Sequence, residues 1–97
     1  MTKLEIQKQL ENNKKFIKSK FHVKKIGLFG SFATGEYTTN SDIDILVDFQ
    51  KGHKDFFNYI RLQHYLQELF GKQVDLVMSS AVKPQLRDNI FAQVQYV

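Results

Sequence analysis

The chain of 97 residues has no cysteine. Disulfides and thiolate metal sites are thereby excluded, which suits a reducing cytoplasm. It has no apolar run near the roughly 20 residues that a membrane helix needs, and its N-terminus lacks the apolar segment of a signal peptide. The expected location is the cytoplasm, with no membrane partner. No linker, repeat or low-complexity segment interrupts the chain, so residues 1–97 read as a single domain. Familiar ligand fingerprints are missing as well. Gly30 and Gly35 have the spacing that opens a P-loop, but Glu36 and Tyr37 stand where a lysine and a hydroxyl residue belong. A carboxylate at that place repels phosphate. No G-x-G-x-x-G dinucleotide turn occurs, nor a G-x-S-x-G nucleophile elbow. His22, His53 and His64 have no metal-pair spacing.

What is present begins with an ordinary globular composition, 42% hydrophobic with nine Phe and four Tyr. The net charge of +4 attracts polyanions, a nucleoside triphosphate among them. Its lysines have no interleaved aromatics and no arginine cluster, so they read as solvated faces, and direct nucleic-acid binding is not expected. Residues 3–20 read as a polar helix with Ile6, Leu10 and Ile17 on one face and a Thr2/Glu5 capping box. Strands are expected over 23–29, 42–49 and 73–78. A short helix is expected within 30–36, an amphipathic helix over 55–70 stopped by Gly71, and a last helix from Pro84 carrying Leu86, Ile90, Val94 and Val97. The fold class is α/β (α+β), a small mixed sheet of three strands with helices able to cover one face.

The chemistry concentrates in Leu28 to Phe49. Gly30 ends an apolar strand and lets the backbone approach a ligand closely. Ser31 adds a hydroxyl at the start of the short helix, where free N–H groups suit a phosphate. Taken alone, the pair reads as a turn with a cap. In the next strand Ile43, Ile45, Val47 and Phe49 share one face, and Asp42, Asp44, Leu46 and Asp48 share the other. Asp42 and Asp44 lie roughly 6.5–7 Å apart along that face. Aspartate is a poor strand residue, and two on one side repel unless a cation lies between them. An EF-hand is excluded because apolar residues follow Asp44. Asp75, a lone acid in the third strand, reaches the same place if the second and third strands are neighbours. Singly, Asp42 reads as a cap, Asp44 as a surface residue and Asp75 as a salt-bridge partner of Lys72. Together the three favour a site for hard divalent ions such as Mg²⁺. Two ions about 3.5–4 Å apart clamp both the attacking and leaving oxygens of a phosphoryl displacement. Asp48, farther along, reads as solvated edge.

Gly30-Ser31, ten further residues and then Asp42-Ile43-Asp44 resembles the signature of the polymerase-β-like nucleotidyltransferases. The short length is similar to their minimal form, the MNT-domain proteins, many of them antitoxins paired with a HEPN-domain toxin. The resemblance extends over the strand before Gly30, the SDIDILVDF stretch, the VDLV strand with Asp75 and the closing helix. It implies a mixed sheet backed by helices, Mg²⁺ held by Asp42, Asp44 and Asp75, and a triphosphate against Gly30 and Ser31. Asp75 is also the implied general base. In the antitoxin branch ATP is the donor, and its AMP passes to a tyrosine of the partner toxin. One position departs from the pattern: Thr34 stands where family members often carry an arginine, so a cationic phosphate contact is lost. Whether Lys24, Lys25 or a partner residue compensates is left open by the sequence. The other reading kept open is a non-catalytic antitoxin on the same fold that neutralises its partner by contact.

Overall fold

A computed structural model describes all 97 residues. Helix α1 (Lys3–Lys20) is followed by strand β1 (Val23–Phe29), the one-turn helix α2 (Gly30–Thr34) and strand β2 (Ile43–Phe49). Helix α3 (Phe56–Phe70) leads to strand β3 (Val74–Met78). A 3₁₀ turn (Ser79–Ala81), helix α4 (Pro84–Gln93) and the short strand β4 (Gln95–Tyr96) complete the chain. The helix starts obey their caps. Thr2 Oγ1 accepts from Glu5 N at 3.2 Å while Glu5 Oε1 accepts from Thr2 N at 3.0 Å. Asp55 caps α3 through Asn58 N at 2.9 Å, and Gly71 ends that helix in the left-handed conformation. No helix is long and apolar enough to cross a membrane.

The strand order is β3-β2-β1-β4. β1 runs antiparallel to both β2 and β4, and β2 runs parallel to β3 with α3 as the crossover. One face of this mixed sheet carries the main core. Ile43, Ile45 and Val47 of β2 meet Ile6, Leu10 and Ile17 of α1 and Leu62, Leu66 and Phe70 of α3. Burying that set removes the apolar stripe of each helix from water, the main favourable term in the fold. Phe32 belongs to this core too, with Tyr37 stacked on it at a ring separation of 4.4 Å.

Three expectations are corrected. The sheet has four strands, not three: the last helix ends at Gln93, and the chain then returns along β1 as β4, so Val94 and Val97 lie outside the helix. Val97 N donates to Ile26 O at 3.1 Å, closing the return. Gly27 makes room for it, because a Cβ there would lie 2.9 Å from both Gln95 O and Val94 Cγ2. Helices also cover both faces rather than one. Leu46, placed by alternation among the solvated aspartates, is fully buried in a second small cluster with Phe29 and Val82, packed by Ile90 and Val94. The second face is thus apolar in its middle, with Asp48 near one end and the denser acids Asp42 and Asp44 at the other, the acidic end.

Candidate active site

The acidic end is where β1 finishes and β2 and β3 begin. In register, Phe29 of β1 pairs with Asp44 of β2, and Asp44 pairs with Asp75 of β3. Partners in register point to the same face of a sheet, so the carboxyl groups of Asp44 and Asp75 are side by side. Asp42 lies two residues before Asp44, one residue outside the strand. Asp42 and Asp75 are exposed and Asp44 is half-buried. Lys72 does not neutralise Asp75 as the salt-bridge reading supposed: its Nζ donates to Thr39 O at 3.0 Å and lies 6.0 Å from the centre of the Phe32 ring.

Gly30 directly follows Phe29, and the Asp44 carboxylate rests on it. A Cβ at Gly30 would come within 2.1 Å of Asp44 Oδ2, and the residue has φ +72°. Only glycine meets both demands. Ser31, half-buried, comes next in α2, whose first-turn N–H groups have no side-chain cap. An open groove runs past Gly30, Ser31, Thr34 and Glu36 to Gln93 at the end of α4. The structure therefore brings Gly30 and Ser31 together with Asp42, Asp44 and Asp75. It does not bring either candidate lysine. Lys24 and Lys25 lie near the opposite end of β1, roughly 16 Å of strand from Gly30. Thr34 turns its hydroxyl back to Ser31 O at 3.4 Å. His22 and His53 stack at 3.8 Å beside the turn that follows β2, at the other end of that strand, and take no part.

Gln93 was missed by sequence reasoning. It reaches the groove only because α4 folds back over the second face, and no local pattern announces that. Glu36 was noticed only as the residue that spoils a P-loop.

The electrostatics of Asp44 are one-sided. Burial, then the Asp75 charge, then the Asp42 charge all push its carboxyl up, from 3.8 to about 6. Three all-oxygen donors repelling one another are the chemistry that a hard divalent cation relieves. The protein alone does not close them into a three-ligand cage. An ion held here must draw further ligands from water or from substrate oxygens, as Mg²⁺ at nucleotide sites does. The donor set fits such an ion on those terms.

Known proteins share this fold and much of this sequence. The family model described as "Nucleotidyltransferase domain" matches residues 10–97. Protein adenylyltransferase MntA of Thermococcus cleftensis is 40% identical over 97 residues, covering 100% of this chain and 97% of its own. Among solved structures, a candidate minimal nucleotidyltransferase superimposes with a TM-score of 0.83 at 27% identity, over 98% of this chain and 95% of the other. The Shewanella oneidensis complex of a tri-AMPylated HEPN toxin with an MNT antitoxin superimposes with a TM-score of 0.62 at 26% identity, over 91% and 70%.

Proposed function

The chain belongs to the nucleotidyltransferase domain family, and from that premise we propose that it transfers AMP from ATP to a tyrosine of a partner HEPN-type toxin, acting as its antitoxin. The observation that carries the chemistry is the Asp44 carboxylate seated on Gly30 between Asp42 and Asp75, with no cation of the chain's own to offset it. The AMPylated toxin bound to the similar antitoxin supports a toxin as acceptor, and the tyrosine is what the family resemblance implies.

In this reading Asp42, Asp44 and Asp75 would hold Mg²⁺, two ions in the full site, and the bound metal would supply positive charge to the phosphate oxygens. Gly30 and the N–H groups after it bind the triphosphate, and the Ser31 hydroxyl donates to it. Asp75, exposed as Asp42 is, takes the proton from the attacking tyrosine hydroxyl in this reading. The hydroxyl oxygen forms a bond to the α-phosphorus, the bond from that phosphorus to the bridging oxygen breaks, and pyrophosphate leaves. The groove is open, and the partner supplies the acceptor and its covering wall.

The test uses ATP labelled on the α-phosphate, with Mg²⁺, in a lysate of the source cells. Wild-type protein is expected to label one protein band, and an Asp42→Asn/Asp44→Asn variant none. Label arriving from the γ-phosphate instead means phosphoryl transfer and overturns the assignment. Thr34, in the place of a family arginine, favours a second reading, neutralisation by contact alone. That reading predicts that the double variant still protects cells from the partner toxin; the leading one predicts that protection is lost.

A further inference from the structure

Asp75 stands on an edge strand. β3 has β2 on one side only. Such an edge leaves backbone groups open to water or to a foreign strand. Ile43 N donates to Gln73 O at 3.0 Å, so the odd-numbered residues of this segment turn their backbone groups toward β2. Alternation then turns Val74 and Leu76, which flank Asp75, outward. Their outward groups are met by α3. Tyr59 Oη donates to Leu76 O at 2.5 Å, Gln63 Nε2 donates to Val74 O at 3.0 Å, and Val74 N donates to Gln67 Oε1 at 3.3 Å. The three side chains recur every four residues, about 6 Å along the helix. Alternate strand residues recur about 6.6 Å along the edge, so the two elements match in step.

The clamp acts where it is needed. Asp44 and Asp75 are register partners with like charge, and like charges opposite one another push strands apart. β2 is fixed by neighbours on both sides; β3 is not. Any splaying therefore moves β3 and carries Asp75 away from Asp44. The exposed Asp75 has only its backbone to hold it.

We propose that Tyr59 and Gln63 are positioning residues, which hold Asp75 beside Asp44 by fixing the carbonyls on either side of it. The proposal rests on the reading of the three aspartates as a cation site. The experiment measures Mn²⁺ binding to the protein alone, from the resonance signal of free Mn²⁺. Wild type, Asp75→Asn, Tyr59→Phe and the double variant are compared, with Gln63→Met in parallel. Tyr59→Phe is expected to weaken Mn²⁺ binding about tenfold. In the Asp75→Asn background the same change is expected to cost nothing more, because its effect passes through Asp75. A Tyr59→Phe loss that adds in full to that of Asp75→Asn overturns the positioning role. Wild-type binding by both Tyr59→Phe and Gln63→Met overturns it too. Should Tyr59→Phe fail to fold, Gln63→Met paired with Asp75→Asn decides by the same rule. A different pattern marks failure of the underlying site: wild type that binds no Mn²⁺, or Asp75→Asn that binds as wild type does, removes both readings together.

Discussion

At Asp44, burial and two like charges act in one direction, and the cation-free protein bears the cost. Replacing Asp44 by Asn removes the charge and keeps the shape. The Asp44→Asn variant is expected to gain on the order of 1 kcal/mol in cation-free buffer, read as a thermal midpoint several degrees higher, while AMP transfer disappears. The pH dependence follows from the same residue. Folded Asp44 keeps its proton up to about 6, and the unfolded chain releases it near 3.8. The folded state therefore binds more protons in that window. Its contribution to stability is complete below 3.8 and is lost as pH rises toward 6. A bound cation favours the ionised carboxylate, so Mg²⁺ affinity is expected to fall as pH drops below about 6, by up to roughly tenfold per unit. Titration calorimetry between pH 7.5 and 5 checks this. Gly30→Ala places a methyl against Asp44 at a positive φ and is expected to cost about 1–3 kcal/mol, measured by chemical denaturation, with transfer lost as Asp44 is displaced. Asp44 and Asp75 were legible as candidates because they contradict their surroundings, since strand propensity gives no reason for either; Asp42, just before the strand, was legible only by its spacing to Asp44. Gln93 contradicts nothing locally, so only the folded chain reveals it.

Among the elements, the long helices and the first three strands follow from periodicity and caps, because each has enough residues to express a period. The C-terminal segment does not. Ile90, Val94 and Val97 are spaced as on a helix, yet the helix stops at Gln93 and two residues pair with β1. A two-residue strand has no period to read; what fixes it is the long-range space above Gly27. Gly27→Val is expected to displace β4 and cost about 1–3 kcal/mol. The check is faster proteolysis of the segment after Gln93, with α1 and β2 still protected.

In the whole molecule, the strand order β3-β2-β1-β4 decides which residues meet. It sets the end of β1 beside the starts of β2 and β3, so a glycine turn and three acids separated by up to 45 positions (Gly30 to Asp75) share one corner. The middle of the same face is closed by Ile90 and Val94 over Leu46, which leaves the corner as the open part. The charge balance was readable at once, but its arrangement was not. The basic residues Lys24, Lys51 and Lys54 line a separate groove with Asp48 and Asp55, beyond the opposite end of β2. A triphosphate drawn by net charge alone has that groove as its rival site. The deciding measurement is a crystal structure with Mn²⁺ and a non-hydrolysable ATP analogue, the ions located by anomalous scattering. The account predicts Mn²⁺ among Asp42, Asp44 and Asp75, with the triphosphate lying against Gly30 and Ser31. A triphosphate bound in the Lys24–Lys51–Lys54 groove, with no Mn²⁺ at the three aspartates, would contradict it.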